Sequence, residues 1–326
     1  MLKTKTANGV YACPPWLPGG QAQTLYAYLV TGRPNLIYRR QRWDTPDGDF
    51  IDVDWMDGKA DAPLVVLFHG LEGSSQSPYA LHLMRAVQQK GCRGAVVHFR
   101  GCSGELNRLP RAYHSGDSAE IDWILRRMKI TAADAPIYAV GVSLGGNALL
   151  KWLGEQQEDA MQIVCAAASI SAPVDLMAAG NALGGGFNMI YTRHFLSTLK
   201  RKSVLKLQQH PGLFDGEAML RSRNLREFDN IVTAPLHGYK DTDDYWTRAS
   251  SKPVLKDICV PTYLLNARND PFLPEPALPQ IGELSPVITA EFPERGGHVG
   301  FVSGGFPGHL HWLPHRLMDF FSENKG

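Results

Sequence analysis

The sequence predicts an α/β fold, in which helices cover both faces of a mostly parallel sheet. From residue 64 onwards, short apolar runs typical of buried strands alternate with longer segments of helical periodicity, and this alternation favours parallel strands. Before that point, residues 36–43 and 50–55 alternate in character and flank Pro46-Asp47-Gly48, which predicts a hairpin at an antiparallel edge of the sheet. The 326 residues, 44% of them hydrophobic and 20% charged, suit one large domain of this class.

The individual elements follow from local signals. Residues 1–34 are rich in proline and glycine around Pro14-Pro15 and predict a loop-rich lead-in. A helix is expected at 78–90, because Ser77 suits the N-cap position and Pro78 the first turn. The other expected elements are strands at 64–68, 94–99, 135–140, 163–170, 261–267 and 287–292, an amphipathic helix at 117–128, and a C-terminal helix that includes His309, His311 and His315.

The motif Gly141-Val142-Ser143-Leu144-Gly145 carries the clearest chemical signal. A strand-like run enters it and a helix-like run leaves it, which is the context of a nucleophile elbow. In so tight a turn Ser143 would have a strained backbone, and a Cβ at Gly141 or Gly145 would collide with the neighbouring element. The Leu144 amide would lie at a helix N-terminus, where unpaired donors stabilise negative charge. Taken alone, the motif also fits an ordinary glycine-rich turn.

A second glycine-rich loop supports the elbow. The strand at 64–68 ends in His69-Gly70-Leu71, and a loop after an early strand supplies the second amide of an oxyanion hole in this architecture. The Leu71 N–H is the candidate donor. His69 has an alternative interpretation as a base or a metal ligand, although no other ligand-type residue lies at suitable spacing nearby. Cys102, in the loop after the next strand, is an alternative nucleophile without an elbow context.

Asp270 and His298 complete the candidate site. Each follows a predicted strand and would project from the sheet edge that carries Ser143. The chain order Ser, Asp, His is that of an α/β-hydrolase triad, in which the histidine removes the serine proton and the acid orients the imidazole. Asp175, after the strand at 163–170, is the alternative acid.

With these pieces the chain resembles the α/β-hydrolase superfamily. It is most similar to a group of predicted esterases with enterobacterial members, plant embryogenesis-associated members and animal phospholipase relatives. The resemblance implies Ser143 as nucleophile, Asp270 as acid and His298 as base, acting on a carboxylic ester or lipid. Transfer of the acyl group to an alcohol and a non-catalytic binding role remain alternatives. The resemblance rests on residues 69–74, 99–104, 141–147, 227–229, 266–271 and 296–301.

The strand–helix alternation stops between residues 173 and 256. This aromatic-rich stretch contains Gly184-Gly185-Gly186 and predicts helices, at the place where folds of this class insert a cap over the active site. We therefore expect one domain, residues 1–326, with a cap insertion at 173–256. Its aromatic side chains, with Phe187, Phe195 and Trp246 as candidates, would either line a substrate pocket or pack the cap onto the main domain.

Composition and charge limit the classes of partner and the location that we expect for the protein. A net charge of +1 and a pI near 7.7 give no global electrostatic attraction for nucleic acid, and the basic stretch 193–206 is expected to be a solvated helix face. Five scattered cysteines without a CxxC pair predict reduced thiols and a cytoplasmic location. The sequence contains no run of about 18 apolar residues, so no membrane span is expected. Residues 1–6 lack the apolar core of a signal peptide. No metal or organic cofactor is expected.

Overall fold

A single mixed sheet organises the protein. The computed structural model describes residues 10–325 and contains eight strands in the spatial order 1-2-4-3-5-6-7-8, with strand 2 antiparallel to both of its neighbours and every other pair parallel. The predicted fold class, including its antiparallel N-terminal edge, is therefore confirmed. The strands are β1 (Arg39–Asp44), β2 (Phe50–Met56), β3 (Leu64–Phe68), β4 (Arg93–His98), β5 (Ile137–Val142), β6 (Ala166–Ile170), β7 (Thr262–Leu265) and β8 (Ile288–Glu291).

Helices cover the sheet and fill a long connection between β6 and β7. In the described part of the chain they are α1 (Gly20–Leu29), α2 (Pro78–Gln89), α3 (Ser118–Ala132), α4 (Leu144–Gln156), α5 (Glu158–Met161), α6 (Leu176–Leu183), α7 (Met189–Gln209), α8 (Gly216–Arg221), α9 (Leu225–Ile231), α10 (Thr233–Leu236), α11 (Thr242–Ala249) and α12 (Trp312–Glu323). Short 3-10 helices lie at Gly186–Asn188, Lys252–Asp257, Glu275–Ala277 and Ile281–Glu283. None of the helices within residues 10–325 is long and apolar enough to cross a bilayer.

The two faces of the sheet bury separate hydrophobic cores. Every residue of β3 and β5 is buried, as expected for central parallel strands with both faces covered. Along β5, Ile137 and Ala139 join the core beneath α3 and α4, whereas Tyr138 and Val140 join the core beneath α2 and α12. This two-residue alternation fixes which side chains of β5 face each core. Ser143 follows the last residue of β5, at the end of the sheet where the carboxyl ends of the parallel strands lie.

The structure corrects two local expectations and confirms a third. Residues 20–29 form α1, although a loop-rich lead-in was expected. The helix was not predicted because the positions that it buries include the polar Gln23 and Thr24 and therefore give no apolar periodicity. The helix α12 begins at Trp312, so of the three C-terminal histidines only His315 lies inside it. Ser77 occupies the N-cap of α2 and Pro78 its first turn, as predicted, although the Ser77 Oγ accepts from the Ser74 N–H and makes no capping hydrogen bond. The signal-peptide expectation concerns residues outside the described range.

The connection from 171 to 261, called here the β6–β7 segment, contains α6 to α11. Several of its helices start at a residue whose side chain accepts from the backbone N–H three positions on, as at Asp175, Asp215, Asn224 and Asp241. The segment has apolar clusters of its own, one of them around Met219 and Phe228. These local signals explain why a stretch without strand periodicity folds as short helices.

Candidate active site

Ser143 stands at the turn between β5 and α4 in a strained conformation. Its φ of 53° and ψ of −119° lie in a region that non-glycine residues rarely occupy, and such backbone strain costs on the order of 1–3 kcal/mol. A Cβ on Gly145 would lie 2.5 Å from the Phe68 carbonyl oxygen, and one on Gly141 would overlap the Gly145 carbonyl. Positions 141 and 145, two residues before and after the serine, therefore accept only glycine, as the motif predicted.

A chain of hydrogen bonds joins Ser143 to His298 and Asp270. The Oγ of Ser143 lies 2.9 Å from His298 Nε2, and His298 Nδ1 lies 2.9 Å from Asp270 Oδ2. Asp270 is buried and also accepts from the Phe272 N–H at 2.8 Å. Because the carboxylate can only accept, Nδ1 carries the proton and Nε2 is free to accept one from the serine. The structure thus brings the three candidate side chains into one array.

The alternative acid and the alternative nucleophile lie outside this array. Asp175 is the N-cap of α6, where its Oδ1 accepts from the Ala178 N–H at 2.9 Å. Cys102 lies 3.4 Å from Lys202 Nζ, and burial raises the pKa of its thiol to about 11. Asp175 therefore has a structural role, and Cys102 is a protonated thiol at neutral pH.

Polar residues of α1 support the loop that carries His298. Thr24 Oγ1 accepts from the His298 N–H at 2.8 Å and donates to the Gly20 carbonyl at 2.7 Å. Gln23 Oε1 accepts from the Gly296 N–H at 2.8 Å. Sequence reasoning missed both residues, since a buried polar residue in a segment without periodicity gives no local signal.

His69 anchors the loop after β3 instead of acting as a base. Its Nδ1 donates to the Gly70 carbonyl at 2.7 Å, and its Nε2 accepts from the Phe99 N–H at 3.2 Å. Burial lowers the pKa of His69 to about 3, so the ring is neutral and both of its nitrogens are occupied. A Cβ on Gly70 would lie 3.1 Å from Ser143 Cβ, which shows how closely this loop passes the serine.

Leu71 and Leu144 line the same cavity as Ser143 and His298. The amides on either side of Leu71 are engaged, since the Gly70 N–H donates to Tyr79 Oη at 2.9 Å and the Glu72 N–H to Tyr113 Oη at 2.8 Å. Within residues 10–325, the Leu71 amide has no backbone acceptor, and the Leu144 amide, as the first of α4, has no partner inside its helix. Two free N–H groups near the serine are what an oxyanion site requires.

An ion pair ties the β6–β7 segment to this loop. Lys202 of α7 donates to Glu72 Oε1 at 2.8 Å, and the Tyr113 hydroxyl donates to the same oxygen at 2.8 Å. Glu72 has a φ of 56°, a left-handed conformation that these contacts hold in place. Lys206, one turn further along, donates to the Asn107 carbonyl at 2.7 Å, and burial lowers its pKa to about 8. The expectation of a solvated basic face is therefore wrong for these two lysines.

The cavity beside Ser143 has a volume of about 180 Å³; more than half of its lining residues belong to the β6–β7 segment, and most of these are apolar. Phe195 and Trp246 form part of its wall, whereas Phe187 does not line it. Phe187 lies in the 3-10 turn that precedes α7, and none of the residues of this turn is buried. This placement corrects the assignment of Phe187 to the pocket. Asp229 also borders the cavity; it accepts from Trp246 Nε1 at 2.9 Å, and burial raises its pKa to about 6.

The comparisons with known proteins concern the fold and the family of the chain. A family model described as alpha/beta hydrolase fold matches residues 63–304. The chain is 41% identical over 307 residues to "Putative esterase YheT" of Escherichia coli, covering 90% of each chain. It is 31% identical over 305 residues to human "Phospholipase ABHD3", covering 90% of this chain and 73% of the relative. An esterase structure from Pyrococcus furiosus superposes with a TM-score of 0.57 at 15% identity, covering 92% of this chain and 99% of that one.

Proposed function

Because the chain belongs to the α/β-hydrolase family, we propose that it is a serine hydrolase that cleaves carboxylic esters through an acyl-serine intermediate. The observation that carries this proposal is the array Ser143–His298–Asp270, with consecutive contacts of 2.9 Å. A relative named as an esterase and another named as a phospholipase support an ester as substrate.

The first half of the reaction acylates the serine. As Ser143 Oγ bonds to the ester carbonyl carbon, its proton passes to His298 Nε2 and the carbonyl π electrons move onto oxygen. Asp270 stabilises the imidazolium that forms. When the tetrahedral adduct collapses, the C–O bond to the alcohol breaks and His298 returns the proton to the leaving oxygen, which leaves an acyl-Ser143.

Water reverses the sequence in the second half. The water oxygen attacks the acyl carbon while His298 accepts a proton from that water. His298 then protonates Ser143 Oγ as the carboxylic acid departs. The Leu71 and Leu144 amides would donate to the oxyanion in both halves, a contribution of about 3 kcal/mol for each donor in comparable sites. Every group in this mechanism belongs to the protein or to the substrate and water.

The apolar cavity supports an acyl chain as the group it receives. We infer that the β6–β7 segment acts as a cap that sets substrate choice, with Phe195 and Trp246 as wall residues. Apolar surface removed from water contributes about 0.8 kcal/mol for each methylene, so chain length should govern kcat/KM. Small-molecule esters and lipids both satisfy this chemistry.

The cysteines bear on location. All five, Cys13, Cys92, Cys102, Cys165 and Cys259, are free thiols. Free thiols are typical of proteins in reducing compartments, and this supports a cytoplasmic location.

Labelling with a fluorophosphonate tests the proposed nucleophile. The reagent should modify wild-type protein on Ser143, and Ser143→Ala should abolish both the label and the hydrolysis of p-nitrophenyl esters. Ser197→Ala is the matched control, since Ser197 is exposed on α7 and its hydroxyl donates only to the His194 carbonyl. Label on Cys102, or label retained in Ser143→Ala, would contradict the assignment. A protein that neither labels nor hydrolyses any ester of graded chain length would be a binding protein instead.

A further inference from the structure

Large apolar side chains cluster on the surface where α1 ends and α7 begins. Tyr28, Leu29 and Val30 are 51%, 69% and 55% exposed, and Phe187 and Ile190 are 54% and 48% exposed. Single exposed apolar residues are ordinary, but a group of them marks an interaction site. These five residues are called here the α1–α7 patch.

The two parts of the patch are neighbours in space. Gln21 of α1 donates from Nε2 to Asn188 Oδ1 at 2.6 Å, next to Phe187. The ring of Tyr28 meets the ring of His194 edge-on, with centroids 6.5 Å apart. His194 lies one helical turn after Ile190, so the exposed end of α1 and the first turns of α7 form one continuous surface.

The surroundings of the patch are basic. Residues 10–43 and 176–214 contain no aspartate or glutamate. Arg33, Arg193 and Arg201 are exposed, and none of them has an acidic partner within the described residues. Arg201 lies 11 residues after Ile190 and therefore on nearly the same face of α7. Exposed apolar side chains next to unpaired arginines are the signature of a surface that binds anionic lipid.

The helices that carry the patch also form the wall beside the candidate base. Leu25 of α1 and Tyr191 and Phe195 of α7 belong to one apolar cluster with Phe272. The ring of Phe272 stacks on His298, with centroids 3.9 Å apart. The patch therefore lies one layer of side chains away from the site.

We propose that the α1–α7 patch docks the protein onto a bilayer that contains anionic lipids. Its apolar side chains would enter the interface while the arginines contact lipid phosphates, which brings the cavity to a surface where ester substrates are concentrated. The inference rests on the proposed function only for that last step, since docking needs no turnover. A symmetric dimer through the patch is disfavoured, because it would place Arg193 and Arg201 against a surface whose two chain segments, 10–43 and 176–214, contain no acidic residue to compensate them.

Co-sedimentation with vesicles tests the docking surface. The full chain should partition onto phosphatidylcholine vesicles that contain 30% phosphatidylglycerol, and less onto pure phosphatidylcholine, because only the former attracts the arginines. Leu29→Ser combined with Ile190→Ser should lower the partition coefficient on both vesicles about tenfold. Arg193→Gln combined with Arg201→Gln should lower it several-fold on the anionic vesicles only. Hydrolysis of a water-soluble short-chain ester should be unchanged in both variants, since none of these residues touches the reacting atoms.

Matched substitutions on α3 control for general surface effects. Ile130 is 83% exposed and Lys129 precedes it, so Ile130→Ser and Lys129→Gln remove the same chemistry elsewhere. Both should bind vesicles like the wild type. Equal losses in patch and control variants, or no vesicle binding by the wild type, would overturn the proposal. So would a wild-type dimer in sedimentation velocity that the Leu29→Ser, Ile190→Ser variant converts to monomer. Failure of ester hydrolysis alone would contradict the proposed function and not the docking surface.

Discussion

Thr24→Val is the sharpest test of how α1 supports the site. Thr24 is buried, and its hydroxyl is the acceptor for the His298 backbone N–H at 2.8 Å. Valine has nearly the same shape, so the substitution removes the hydroxyl without opening a cavity. The His298 N–H then loses its partner, while the side-chain array is otherwise untouched.

The magnitude follows from the cost of an unpaired donor. A buried N–H left without an acceptor lowers the free energy of unfolding by about 1–3 kcal/mol. The loop either keeps its position at this cost or shifts until the N–H binds water. A shift acts on the 2.9 Å contact between His298 Nε2 and Ser143 Oγ, and a misplacement of about 1 Å costs up to about 100-fold in rate. We therefore expect Thr24→Val to lower the free energy of unfolding by about 1–3 kcal/mol. The value of kcat should fall between about 10-fold and 100-fold, with KM little changed because Thr24 does not line the cavity.

Urea unfolding and steady-state hydrolysis of a p-nitrophenyl ester measure both effects. Thr24→Ser keeps the hydroxyl and should stay close to wild type. Thr31→Val is the matched control, because Thr31 Oγ1 makes the same kind of bond to the carbonyl four residues earlier, Ala27, at 2.6 Å, but contacts no part of the site. If Thr24→Val and Thr31→Val had equal rates, the idea that α1 positions His298 would be refuted.

Three further predictions follow from the same geometry. Asp270→Asn should lower kcat about 10⁴-fold, because the amide favours the wrong histidine tautomer, whereas Asp175→Asn should keep wild-type turnover; the reverse result would exchange their roles. Phe195→Ala should shift the preferred ester chain length and the exposed Phe187→Ala should not, as measured by kcat/KM across p-nitrophenyl esters; equal profiles would place the acyl group elsewhere. Burial raises the pKa of Asp229 from 3.8 to about 6, so the folded state binds more protons than the unfolded state between these values and stability falls as pH rises through them. That slope should be absent from the unfolding curves of Asp229→Asn, and an unchanged slope would count against the burial of this charge.

The sheet and the elbow could be predicted because their causes are local. Buried parallel strands require unbroken apolar runs such as 64–68, and the turn at Ser143 requires glycine where a Cβ would overlap backbone. The antiparallel edge likewise follows from Pro46-Asp47-Gly48 between two alternating segments.

What escaped prediction depends on contacts between distant segments. The buried face of α1 is polar because its partners are backbone amides of a loop about 270 residues later. Lys202 and Lys206 turn inward because Glu72 and the Asn107 carbonyl receive them. The inward turn of Lys202 and Lys206 cannot be read from residues 193–206 alone, since an isolated basic helix gives the same pattern whether its cations face water or an acceptor.

The ion pair between Lys202 and Glu72 joins the wall of the cavity to the loop that carries Leu71. The lysine belongs to the helix that walls the cavity and the glutamate to the loop that presents the Leu71 amide. A retreat of α7 by roughly 1 Å would stretch this contact beyond hydrogen-bonding length and leave the Tyr113 hydroxyl as the remaining partner of the Glu72 carboxylate. The position of α7 would then affect two things together: the width of the cavity and the placement of the loop that carries the Leu71 amide. Substrate could enter while α7 is withdrawn, and the Leu71 amide would be held in place beside Ser143 once α7 returns.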